Sequence, residues 1–139
     1  MSASSTILAL DVGERRIGVA RATTDTRWPA PLKTLTNDAT ILDQLRALLT
    51  EEQVSQLIIG LPRGLDGQET SQTQAVRAFA DQVAHTCGIE PVLQDEALTS
   101  QKAETELKNR GKTYDKAEVD ALAATYILED YLRETEHQA

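Results

Sequence analysis

A single cysteine, Cys87, stands among 139 residues. No disulfide can close within the chain, and that usage fits a reducing compartment, so a cytoplasmic location is expected. Histidine is scarce too: His85 falls on a helix and His137 in the C-terminal tail. No His/Cys cluster therefore offers a zinc site, and no Cys–His or G-x-S-x-G pattern offers a covalent nucleophile. Long apolar runs are missing. Nothing approaches the roughly 18 residues of a membrane span, and Met1–Thr6 lacks the basic region that opens a secretory signal. Basic residues are in deficit, 14 against 22 acidic, for a formal charge of −8. That balance argues against a nucleic-acid binder driven by bulk charge. It leaves room for a local patch, since Lys102, Lys108, Arg110, Lys112 and Lys116 crowd one short stretch.

What is present suits one domain over 1–139, with 1–5 and 134–139 as flexible tails. The apolar share is 40% and the charged share 26%, which sets the chain apart from disordered sequences. Ile7–Val12 reads as a buried strand and Arg16–Ala22 as its hairpin partner. Pro31–Leu35 is a third strand at an edge. Asn37 or Asp38 is expected to cap a helix carrying Ile41, Leu42, Leu45, Leu48 and Leu49 on one face. Val54–Ile59 is a buried strand, Arg63–Gln68 a loop, and a helix follows with Val76, Phe79, Ala80, Val83 and Cys87 inward and Gly88 at its end. Pro91–Leu93 is a short buried strand. Residues 98–110 suggest an exposed helix. Asp115 opens the last helix with the capping-box spacing to Glu118. The order predicts an α/β fold: a mixed five-stranded sheet that starts with three antiparallel strands and continues in parallel, with helices on both faces.

The acids are the informative residues. Asp11 ends a buried strand, at the edge where α/β sheets place ligands. No helix begins there to be capped, and a carboxylate is costly to bury unless it binds a cation or accepts hydrogen bonds. Asp95 and Glu96 follow a strand expected to end at the same edge. A helix-terminal acid is the alternative for Asp95 and, less readily, for Glu96, because neighbours face opposite ways. Asp120 lies one turn inside the last helix, where Asp is a poor helix former. The small Ala121, Ala123 and Ala124 beside it permit close approach of another backbone; a solvated acid is the plainer reading. Carboxylates from two strand ends and a helix make a hard oxygen-ligand site, suited to Mg²⁺ or Mn²⁺. Such sites commonly serve phosphoryl chemistry.

Four blocks in order resemble the YqgF (RuvX-like) family: Ala9-Leu10-Asp11-Val12-Gly13-Glu14-Arg15-Arg16-Ile17-Gly18-Val19-Ala20; Ile59-Gly60-Leu61-Pro62 with Asp66-Gly67; Asp95-Glu96-Ala97-Leu98-Thr99-Ser100; and Asp120-Ala121-Leu122-Ala123-Ala124 running on to Leu132. The resemblance spans roughly Ile7 to Leu132. It implies an RNase H-like fold and a nuclease that matures the 5′ end of pre-16S ribosomal RNA or resolves Holliday junctions. It implies that Asp11, Glu96 and Asp120 are the catalytic, metal-holding acids, around a two-metal site for Mg²⁺ or Mn²⁺. Family members often carry Arg after the Asp-Glu pair; here the residue is Ala97, so a phosphate contact made by that Arg would be lacking while metal binding would survive.

On this reading Gly13 would let a phosphate approach the backbone. Arg16 would neutralise the strand, or be a solvated edge charge. Lys108, Arg110 and Lys112 flank Gly111 in a loop able to close over nucleic acid, or else complement a helix end. The expected partners are structured RNA or branched DNA, with a pre-ribosomal particle as their setting and no membrane. The chain would act as a monomer or weak homodimer. Two rivals stay open. An actin-type ATP clamp also carries Asp-x-Gly before a hairpin but needs two such domains. A non-catalytic nucleic-acid or transcription-linked module could use the same fold.

Overall fold

A computed structural model describes residues 4–64, 66–96, 105–106, 108–109 and 116–136, apart from the side chain of Glu96. Its elements are β1 (Thr6–Val12), β2 (Arg16–Thr23), β3 (Ala30–Thr36), α1 (Ile41–Glu51), β4 (Val54–Pro62), α2 (Ser71–Cys87), β5 (Val92–Glu96) and α3 (Lys116–Glu134). The five strands form one sheet in the order β3-β2-β1-β4-β5. β1 pairs antiparallel with β2, and β2 with β3, while β1–β4 and β4–β5 are parallel. The carboxyl ends of β1, β4 and β5 therefore lie together at one edge.

The unbroken apolar run of β1 reflects burial on both faces. Leu8 and Leu10, with Ile17 and Val19 of β2, pack under Ile41, Leu45 and Leu48 of α1 and Val76, Ala80 and Val83 of α2. Ile7, Ala9, Ala20 and Ala22 pack on the other face under Ala124, Ile127, Leu128 and Leu132 of α3. The two-residue strand period thus sorts the helices into two layers, as the pattern predicts. Cys87 packs against the α1/α2 side of the core, and burial pushes its thiol pKa up.

Three local expectations change. The helix α1 starts at Ile41, and Thr40 occupies its cap position without a side-chain cap bond. Asp38 instead accepts from the Thr40 backbone N–H and hydroxyl at 2.9 and 2.6 Å, while Asn37 donates to the Gly13 carbonyl at 2.8 Å. Second, β5 runs on to Glu96, because Gly60–Pro62 of β4 supply ladder partners for Gln94–Glu96. Polar residues thus continue a strand that an apolar run alone would stop. Third, part of the expected N-terminal tail is tied down: Ser4 Oγ donates to Asp25 and the Ser5 N–H to Thr24. The proposed cap at Asp115 lies outside the described residues. The pairs 105–106 and 108–109 are helical, within the span expected to be so.

Candidate active site

Asp11 is half-buried, one residue from the end of β1. The alternation that turns Ile7 and Ala9 toward α3 turns Asp11 the same way. Its cross-strand partner is Gly18. At Gly18 the α3 backbone comes so close that a Cβ would collide with the Asp120 carbonyl. The missing side chain is what lets α3 settle on β2 there, and it brings Asp120 beside the strand pair that carries Asp11. The α3 terminus is also fixed from β3, where Thr34 Oγ1 donates to the Ala117 carbonyl at 2.9 Å.

Asp120 is not the solvated acid of the plainer sequence reading. Its side chain is 20% exposed, and Arg16 Nε donates to its Oδ2 at 2.7 Å. Arg16 is equally no loose edge charge. A pocket of about 270 Å³ opens here, lined by Gly13, Glu14, Arg15, Arg16, Lys116 and Asp120. Three basic side chains thus gather at the carboxyl end of β1 in a chain of net charge −8. Lys116 belongs to the basic stretch of the sequence and Arg15 to its first family block, but neither is marked there as a site residue. A signal is available in the sequence: a lysine directly after the expected cap Asp115 opposes the helix dipole, and such local conflicts concentrate at functional positions.

Gly13 has a job inside the hairpin, where its N–H donates to the Arg16 carbonyl at 2.9 Å and a Cβ would stand 2.7 Å from that oxygen. Asp95 belongs to a different cluster. Arg63 donates to it at 3.2 Å and also approaches Glu69. Arg77 in turn holds the Glu69 carboxyl below its ordinary range through a hydrogen bond. Glu96 is placed by its backbone, opposite Pro62 at the end of β5; its side chain lies outside the described atoms. Lys108 is exposed and helical. Arg110, Gly111, Lys112 and Ala97 lie outside the described residues.

Among the described residues no trio of metal-ligating side chains is assembled. The donors present nevertheless fit a hard cation. Asp120 already seats a positive group, the Arg16 guanidinium, and Asp11 adds a half-buried carboxylate on the same sheet face.

The family profile described as RuvX, Holliday junction resolvase, matches residues 5–134. The chain belongs to the RuvX family. Curated relatives carry the provisional name pre-16S rRNA nuclease. One from Chloroflexus aurantiacus is 42% identical over 130 residues, covering 91% of this chain and 85% of its own. One from Pectobacterium carotovorum is 37% identical over 138 residues, covering 96% and 99%. Among solved structures, Thermus thermophilus RuvC is similar at a TM-score of 0.53 and 11% identity, over 94% of this chain and 96% of that one. The same protein in complex with Holliday junction substrate matches equally well. The RuvX chain therefore has the RuvC-like, RNase H-like fold that its motifs imply.

Proposed function

We propose that this RuvX protein is a divalent-metal-dependent endonuclease of structured nucleic acid, and that its substrate is the 5′ end of pre-16S ribosomal RNA. The carrying observation is the contact of Gly18 with the Asp120 backbone: Gly18 is the cross-strand partner of Asp11, and Asp120 lines the basic pocket. Asp11 and Asp120, with Glu96 as the third acid, would hold Mg²⁺ or Mn²⁺. Bound there, the cation supplies Lewis acidity to the phosphodiester and activates the attacking water. The strand β5 lies two strand spacings from β1, about 10 Å. A ligand from β5 must reach farther than one from β1, which favours glutamate over aspartate at that position.

The remaining work falls to the chain's own residues. Arg15 and Lys116 draw the phosphates of the strand toward the edge of the sheet. Arg16 neutralises Asp120 until the strand arrives, and a phosphate oxygen competes for the same guanidinium. The hairpin bond from Gly13 to Arg16 keeps Arg15 and Arg16 at a fixed distance from Asp11. A pre-ribosomal particle in the cytoplasm is the setting this substrate implies, and a monomer suffices to cut one strand.

Branched DNA is the second reading, supported by the family description and by the fold of RuvC. The test is side-by-side cleavage of a ribosomal precursor fragment and a synthetic four-way junction with Mg²⁺ or Mn²⁺. Precursor cleavage is expected to dominate. Asp11→Asn and Asp120→Asn should each lose activity by at least about a hundredfold with an unchanged circular dichroism spectrum. Full turnover by Asp11→Asn would remove that residue from the chemistry, and no cleavage of either substrate by the wild type with either ion would remove the nuclease reading. Preferred cutting of the junction would transfer the function to DNA.

A further inference from the structure

The β1–β2 turn divides two hollows. On its α3 side lies the pocket of Arg15, Arg16 and Lys116. On its α2 side lies a larger groove of about 590 Å³, which shares Gly13 and Glu14 with the first. That volume is typical of small-molecule sites. Its lining differs in kind. Ala75, Val76 and Phe79 of α2 supply apolar surface, and Asn37, Gln72 and Gln82 supply amides. Glu14, at the shared rim, is the only charged residue that lines it among the described residues.

The geometry points to this groove as the seat of an unpaired nucleobase of the substrate, flanking the phosphate held across the turn. This inference rests on the nuclease reading above. The occupant follows from the contrast between the hollows. A phosphate in this groove would meet the Glu14 carboxylate at its rim and no cationic side chain among the described lining, whereas Arg15 and Lys116 await it on the other side. A base needs apolar contact for its rings and hydrogen-bond partners for its edge, and the groove offers both. Several of these groups are already oriented. Gln72 Nε2 donates to the Val12 carbonyl at 3.4 Å, leaving its oxygen to accept from a base. Asn37 is held by its bond to Gly13. The amide of Gln82 has no partner among the described residues and lies exposed at the groove. Phe79 is anchored against the α1/α2 core, so its ring is a fixed wall. In a duplex the ring faces are stacked and the Watson–Crick edges paired, so no base could enter this groove. The groove therefore selects an unstacked nucleotide beside the cut, as at a processing end or an opened junction.

Two variants and one metal-free measurement test this. Ala75 is exposed on α2, so Ala75→Gln can fill the groove without disturbing the core; Gln82→Ala removes an amide. In nuclear magnetic resonance titrations of the protein with each of the four nucleoside 5′-monophosphates, without divalent ions, shifts are expected at Gln72, Gln82 and Asn37. Ala75→Gln should abolish them. In cleavage of the precursor fragment, both variants should raise KM roughly tenfold, with the loss on KM rather than kcat. Wild type should suffer the same loss on a substrate made abasic beside the cut, and Ala75→Gln should be indifferent to that change. Shifts confined to Gly13–Arg16 and Lys116, or an unaltered KM in Ala75→Gln, would overturn the base site while wild-type cleavage still stood. Absence of any divalent-metal-dependent cleavage by the wild type would instead strike the nuclease reading, whatever the titrations show.

Discussion

At Gly18 a single methyl group would claim space that the Asp120 carbonyl already fills. Gly18→Ala must therefore push the first turns of α3 off β2. Overpacking of this kind costs about 1–3 kcal/mol, read as a lower urea midpoint. The larger effect should be on chemistry, because a displacement near 1 Å can cost about a hundredfold in rate. A folded Gly18→Ala protein with wild-type cleavage would show that the placement of Asp120 is immaterial. The acids themselves were partly legible in the sequence. Asp11 stands out because an apolar run ends on a carboxylate, and Asp120 because aspartate is out of place inside a helix. The pairing of Asp120 with Arg16, 104 residues away, was not legible. It depends on where α3 crosses the sheet, which is decided by Gly18, Ala20 and Ala22 presenting small residues on one face. That alternation is visible once sought, but nothing local says which helix it receives.

Among the elements, α2 and α3 show how a terminus can serve stability or function. The helix α2 begins with a reciprocal cap: Thr70 accepts from the Thr73 N–H, and Thr73 Oγ1 accepts from the Thr70 N–H. The same hydroxyl donates to the Pro62 carbonyl at 2.5 Å, pinning α2 to the end of β4. Thr73 is fully buried, so Thr73→Val keeps the shape and strands both partners. A loss on the order of 1–3 kcal/mol is expected, measured by urea denaturation; a change below about 0.5 kcal/mol would mean water replaces the hydroxyl. At α3 the terminus is spent differently. Lys116 opposes the helix dipole, so Lys116→Glu should raise thermal stability slightly while weakening RNA binding severalfold in a filter or anisotropy assay. Tighter binding by that variant would exclude Lys116 from the phosphate pocket. Strand and helix identities were readable from periodicity, because burial on one or two faces imprints it. Ends were less so. The strand β5 outlasts its apolar residues because its neighbour does, and α1 is opened by an Asp38–Thr40 turn rather than a direct cap.

For the whole molecule, the charge of −8 and the basic pocket beside Asp120 set how strongly salt governs binding. Screening should be modest, because few phosphates are neutralised. If Arg15, Arg16 and Lys116 meet about three of them, the slope of log K against log salt should fall between about −2 and −3, on the usual increment of 0.7 to 0.9 per phosphate. The acidic remainder repels the backbone elsewhere, which suppresses binding to arbitrary duplex and leaves recognition to the end of the sheet. Binding should be measured with Asp120→Asn in calcium, so that cleavage does not consume the substrate, over a range of potassium concentrations. A slope near −6 would mean that phosphates contact a surface well beyond the pocket, with Lys108, Arg110 and Lys112 as the first residues to replace. A slope near zero would mean that the pocket holds no phosphate at all. In that case the basic side chains around Asp120 would only balance its charge, and the substrate strand would have to reach Asp11 by another path.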